Sequence, residues 1–235
     1  MDPFEPAAPF AFVSTHLDDV GLSCSHTVAA NPGTPVVTVF AGAPDVIRNA
    51  GWNFTTTGLA SAIDAITLRR GEDERAMSLL GAEPVWLELF DAEYVDGPQN
   101  EDILALVLRQ VALDRGLASM VAPLGMFHPD HLAVSNAALR LAVIRDVTLY
   151  LYADMPYAQT YPGLVDPRLA EVGRVAAEHG ASVEVVPLEP VIPTSGIKAE
   201  VVEAYASQLG PVRDGLAGFE ASLTAPEPFW RVDVT

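Results

Sequence analysis

A chain of 235 residues, half of them hydrophobic, is long enough to bury one sizeable α/β core. A formal net charge of −18, from 13 Lys and Arg against 31 Asp and Glu, argues against nucleic-acid backbones and anionic membrane surfaces as partners. The one cysteine, Cys24, excludes an internal disulfide, and no apolar run reaches the ~18–20 residues that cross a bilayer.

The opening stretch MDPFEPAAPF lacks the basic segment and apolar core of a signal peptide, so a cytoplasmic protein is expected. Residues 9–15 form a near-continuous apolar run, the pattern of a strand covered on both faces. It ends at Thr15-His16-Leu17-Asp18-Asp19-Val20, and helical spacing follows over 19–30. Burying a histidine beside two adjacent carboxylates requires partners. Acids at a helix start cap it and complement its dipole, which is the plainer account of Asp18 and Asp19. The other account is a metal. A neutral imidazole nitrogen and a carboxylate oxygen are good ligands for Zn²⁺ or a similar ion, and His16 and Asp19 are three apart on a turn entering a helix. Asp18 is then free to handle protons.

A second strand is predicted over 35–41, followed by a polar loop, 42–60, with three consecutive threonines. A helix over 61–81 closes at Gly81, and a third strand over 84–89 leads into an acidic, aromatic loop, 90–100. Loops this long in a compact domain are often functional. Their aromatics Trp52, Phe54, Phe90 and Tyr94 either stack on a bound ring or pack down to close the loops. A helix over 101–116 stops at Gly116. The fourth strand, 119–124, runs into Gly125-Met126-Phe127-His128-Pro129-Asp130-His131 and a helix over 131–145. A strand over 148–153, a helix over 167–179 ended by Gly180, and a strand over 182–188 complete the alternation.

This order predicts an α/β fold with a Rossmann-like, doubly wound, mostly parallel sheet and helices on both faces. In the order 3-2-1-4-5-6, strands one and four are neighbours and open a crevice beyond their C-terminal ends. Three of the five histidines stand there, while His26 and His179 read as helix-surface residues without a role. His16, Asp19 and one histidine of the second motif make three protein ligands and leave a position for water, the pattern of a catalytic zinc site. No G-x-G-x-x-G follows the first strand, and Asp18 and Asp19 would repel a phosphate there, which argues against a metal-free nucleotide-binding module.

These residues resemble the PIG-L/LmbE-like family of zinc-dependent N-deacetylases, whose motifs are typically (A/P)HPDDE and HxDH; here they read THLDDV and HPDH. Leu68-Arg69-Arg70-Gly71-Glu72 through Ala76, with Leu80-Gly81, is similar to the family's R-x-x-E-x-x-x-A…LG helix. Lys198 through Tyr205-Ala206-Ser207-Gln208 resembles its late K-x(6)-Y-x-SQ helix, and Met155-Pro156-Tyr157-Ala158 a segment after its fifth strand. The resemblance implies one LmbE-like deacetylase domain over 1–235. It implies His16, Asp19 and His131 as ligands of Zn²⁺ (or another divalent ion such as Fe²⁺), Asp18 as general base, His128 as the imidazolium facing the oxyanion with Asp130 orienting it, and Arg69 as a substrate-binding residue. The implied reaction removes an N-acetyl or other N-acyl group from an amino sugar or its conjugate. The alternative is an amidase cleaving a larger conjugate at the same metal site. The implied partner is a small N-acylated molecule, with a homo-oligomer left open. Val20 stands where the family has glutamate, Cys24-Ser25 where a Gly-Gly pair is common, and Met126 where some relatives carry tyrosine, which bears on substrate and on transition-state support.

Overall fold

The computed structural model describes residues 1–235. Its strands are β1 (Phe10–Ser14), β2 (Pro35–Thr38), β3 (Glu83–Trp86), β4 (Ser119–Pro123), β5 (Thr148–Tyr152), β6 (Val183–Pro187) and β7 (Phe229–Val234). The sheet order is β3-β2-β1-β4-β5-β7-β6. The pairs among β1 to β5 are parallel, so the expected neighbours β1 and β4 stand side by side, with Phe12 opposite Val121. β7 was not expected. It inserts antiparallel between β5 and β6, which would otherwise have been adjacent. Its sequence FWRVDV mixes charged and apolar residues, and its burial is partial, so it lacks the continuous apolar signature of β1, β2, β4 and β5.

The helices are α1 (Asp19–Ala29), α2 (Trp52–Thr57), α3 (Ala62–Leu80), α4 (Glu101–Arg115), α5 (Pro129–Val143), α6 (Tyr157–Thr160), α7 (Val165–Glu178), α8 (Ile197–Glu203), α9 (Ala206–Gly215) and α10 (Phe219–Ser222). None is long and apolar enough to cross a membrane. Local signals explain the long ones. Ser61 Oγ caps α3 by accepting from Asp64 N–H, and Gly81 ends it with φ +66, in the left-handed region. Asn100 caps α4 in the same way. The loop 42–60 contains α2, and the late K-x(6)-Y-x-SQ segment is two helices rather than one, broken at Tyr205. Tyr205 leaves the helical path to lie on Gly21, where an added Cβ would stand 2.6 Å from its ring, and to donate its hydroxyl to Asp73.

The core divides by strand alternation. Ala11, Val13, Met120, Ala122, Leu149 and Leu151 point to the α4–α5–α7 side, while Phe12, Val121, Tyr150 and Tyr152 point to the α1–α3–α8 side. Covering both faces is what makes the inner strands apolar without interruption. It also buries α1 almost entirely. His26 is therefore not on the surface as expected: it is buried, and its backbone N–H donates to Glu227 at 3.0 Å. Glu227 also accepts from Thr27 and pairs with Lys198 at 3.0 Å, two charges removed from water together. His179 is exposed as expected.

Candidate active site

The turn after β1 is tied by its own side chains. Ser14 Oγ donates to the His16 carbonyl at 2.7 Å and accepts from Val20 N–H, and Asp19 Oδ2 accepts the His16 N–H at 2.7 Å. Asp18, at the N-cap position of α1, makes no side-chain cap hydrogen bond. Asp18 therefore does not cap the helix, and it lines a cavity of about 380 Å³.

The turn after β4 meets the turn after β1 because the two strands are paired. His131, in the first turn of α5, puts Nε2 3.3 Å from Asp19 Oδ2, and His16 puts Nδ1 3.5 Å from the same oxygen. One ligand atom each from His16, Asp19 and His131 lie within 4.8 Å of one another. The far nitrogen of each ring is held by a carboxylate: His131 Nδ1 donates to Asp154 Oδ1 at 2.6 Å, and His16 Nε2 donates to Asp130 Oδ2 at 3.1 Å. Such outer bonds fix the tautomer and aim the inner lone pair, the usual arrangement around a metal-binding histidine. His16, His128 and Asp130 form a second close set, but there the carboxylate already accepts from the His16 ring.

The electrostatics fit a cation. Burial opposes charge on His16, yet hydrogen bonds to Asp130 and Asp19 and their charges outweigh it and raise its pKa to about 10. Burial likewise opposes charge on His131, and Asp19 and Asp154 raise it. Burial would raise Asp19, but His131 and His16 hold it well below the usual carboxylate range. The carboxylates that favour positive charge on these two rings are the ones a divalent ion would neutralise. Asp18 is pushed up to about 6, by burial and then by the Asp19 charge, against the pull of Arg69, His16 and His131.

One expectation about the second motif needs correction. Asp130 does not orient His128. Its carboxylate holds His16 and accepts from Ala92 N–H and Gln99 Nε2, pinning the 90–100 loop, and stands 3.9 Å from His128 Nδ1. The physical reason is the α5 N-terminus: His128 is the N-cap, and its Nδ1 accepts the backbone N–H of Asp130 at 3.2 Å. Burial and then the charges of His16 and His131 lower the pKa of His128 to about 4, so beside two protonated imidazoles its neutral form is favoured. With Nδ1 accepting, the neutral ring carries its proton on Nε2 and is a hydrogen-bond donor.

Arg69 is buried on α3 and lines the cavity. It does not pair with Glu72 or Asp73 on its own helix, which are taken by Ser207 and by Trp86 and Tyr205. It donates to Asn53 Oδ1 at 2.9 Å and lies 4.0 Å from Asp18 Oδ1, and its Nε has no partner. Both long loops border the site and are latched together, Glu93 accepting from Asn53 N–H. Of their four aromatics only Trp52 lines the cavity. Val20, Cys24 and Met126 are core residues, and neither they nor Ser25 line it, so these departures act on packing rather than on contacts inside it.

Asp154 escaped the sequence reading. Its signal was an acid just past the C-terminal end of β5, next to the Met155-Pro156-Tyr157-Ala158 segment already singled out. It is buried, and its second oxygen accepts Gly125 N–H at 2.9 Å.

No curated protein matches the chain. Among solved structures, a zinc-inhibited form of teicoplanin deacetylase is 24% identical, with 96% of this chain and 98% of that chain covered and a TM-score of 0.69. The A40926 pseudoaglycone deacetylase is 25% identical, with 95% and 96% covered and a TM-score of 0.71. The N,N'-diacetylchitobiose deacetylase of Pyrococcus horikoshii is 16% identical, with 98% and 87% covered and a TM-score of 0.51. The family model described as PIG-L, GlcNAc-PI de-N-acetylase, matches residues 11–142, a span that holds both histidine motifs and more than half of the sequence, and the chain belongs to that family.

Proposed function

We propose that this chain is a metal-dependent N-deacetylase that removes an acetyl or other acyl group from the nitrogen of an amino sugar within a conjugate, acting as one LmbE-like unit. The observation that carries this reading is the convergence of His16, Asp19 and His131, each imidazole held from behind by a carboxylate, beside an Asp18 that makes no cap hydrogen bond. The deacetylase activities of the similar proteins support it.

His16, Asp19 and His131 would hold the ion. Two imidazoles and a carboxylate suit Zn²⁺, and Fe²⁺ is compatible with the same donors. Bound there, the ion supplies Lewis acidity, which acidifies a water toward a pKa of ~7 and polarises an amide carbonyl. Asp18, whose carboxylate lines the cavity next to Asp19, is suited to accept a proton from the attacking water and pass one to the departing nitrogen. His128 offers Nε2–H to the oxygen on which negative charge develops, a role its neutral form can fill. Arg69, which lines the cavity beside Asp18, would offer its guanidinium to a hydroxyl or carbonyl of the substrate. Asp130 and Asp154 orient His16 and His131 and do not touch the reacting atoms.

The test is metal analysis of the purified protein together with acid release from N-acetylated amino-sugar glycosides. Acetate release that chelation stops and a divalent ion restores is expected. Release that survives exhaustive chelation would overturn the metal assignment. A larger acid as the sole product would shift the reading to amidase action.

A further inference from the structure

Resting on that reading, we infer that the substrate presents its acylated sugar on a planar aromatic aglycone without anionic charge, seated on a platform of Phe127, Tyr157 and Tyr161. The platform is an unusual expense for the chain. Phe127 has φ +64, in the left-handed region that a non-glycine residue avoids, and its ring is nevertheless 61% exposed. The turn after β4 imposes this: Gly125 at φ +86 packs so closely on α5 that an added Cβ would lie 2.7 Å from Ser135 Cβ. The backbone cost holds an aromatic ring out at the mouth of the catalytic cavity rather than in the core.

The ring is not loose. It lies 5.0 Å from Tyr161 at an interplanar angle of 9° and 5.1 Å from Tyr157 at 25°. Tyr157 and Tyr161 are four apart across α6 and its C-cap, so one helical face carries both. Tyr157 in turn lies 5.6 Å from the His131 ring. The platform therefore adjoins the proposed metal ligands, His131 meeting Tyr157 edge to face at 77°, as an aglycone attached to the reacting sugar requires. Trp52 lines the same cavity. Its indole N–H is fixed by Gln208 Oε1 at 2.7 Å, so its orientation is set before any ligand arrives.

Charge narrows the occupant. Asp18, Asp19, Asp91, Glu93 and Asp130 line the cavity, and the one guanidinium, Arg69, is already shared between Asn53 and Asp18. A phosphate-bearing aglycone meets repulsion there. Near-parallel rings favour a flat partner in offset stacking over a saturated one of the same size.

The experiment compares kcat/KM for acid release from the methyl, cyclohexyl and 2-naphthyl glycosides of N-acetylglucosamine, its 1-phosphate and a cationic aminoethyl glycoside. The naphthyl compound should exceed the methyl by about tenfold or more, with cyclohexyl between them and the phosphate poorest. Phe127→Gly removes the ring while relieving its backbone, so folding is spared, and Tyr161→Leu removes the partner; each should shrink the naphthyl-to-methyl ratio to about twofold or less. A ratio near one, cyclohexyl equal to naphthyl, or preference for the phosphate or the cation would overturn the inference. If no glycoside releases acid, the proposed reaction fails, and calorimetry with the Asp18→Asn protein then decides the platform. Naphthyl binding that is tighter than methyl binding and is lost in Phe127→Gly sustains it; equal or undetectable naphthyl binding overturns it.

Discussion

Replacing Asp154 with Asn probes the arrangement that makes His131 a ligand. Asp154 accepts two hydrogen bonds in the interior, from His131 Nδ1–H at 2.6 Å and from Gly125 N–H at 2.9 Å. An amide has one acceptor oxygen, so Asn cannot serve both donors. If its oxygen takes Gly125, the NH₂ group faces Nδ1, which must become the acceptor, and the ring proton moves to Nε2 where the lone pair is needed. If its oxygen takes His131, two donors meet at Gly125 and a buried N–H is left unpaired, at about 1–3 kcal/mol. Loss of such an outer carboxylate typically weakens metal binding by ~10–100-fold, or about 1.4–2.7 kcal/mol. Chelator competition on the metal-loaded protein measures the affinity, nitrogen chemical shifts of His131 report the tautomer, and urea titration reports stability. An Asp154→Asn protein with unaltered affinity, tautomer and stability would refute the assignment of Asp154 as the group that aims His131.

Other substitutions test separate parts of the structure. Asp18→Ala should keep its metal and lose ~10²–10⁴-fold in turnover, as general-base removal does; metal analysis beside steady-state kinetics checks this, and unchanged turnover would strike Asp18 from the mechanism. Burial raises the pKa of Asp73 from 3.8 to about 6, against hydrogen bonds from Trp86 and Tyr205, so the fold prefers its protonated form. Its stabilising effect is complete below pH 3.8 and fades as pH rises through about 6. Asp73→Asn should remove that loss, worth up to ~3 kcal/mol, and urea titrations between pH 4 and 7 should show a flatter profile than the parent protein; parallel profiles would contradict it. Glu227→Ala strands Lys198 in the interior without its partner, and about 3–5 kcal/mol of destabilisation in urea is expected, whereas a change below about 1 kcal/mol would mean that the cavity admits water.

Two sites of error show what local pattern cannot carry. His26 sits in a stretch, SCSHT, with no apolar face, and reads as surface; it is buried because α8 and the segment before β7 close over α1, an event about 200 residues away in the chain. Asp130 stands next to His128 but one in sequence, and proximity suggested that partnership; the helix start turns its carboxylate toward His16, 114 positions earlier. β7 escaped for a related reason, since a strand that is only half covered carries a weaker pattern than β1, β2, β4 and β5.

Residue order by itself determined the alternation of strands and helices and where they stop, because periodicity, caps and glycine conformations act over a few neighbours. It also determined that both histidine motifs lie at the C-terminal ends of strands, and the general rule for doubly wound sheets made those ends adjacent. The tertiary structure alone decided which carboxylate holds which imidazole, which charges are buried together, and which aromatics border the cavity. Those choices depend on angles and distances between elements, and a one-dimensional pattern contains neither.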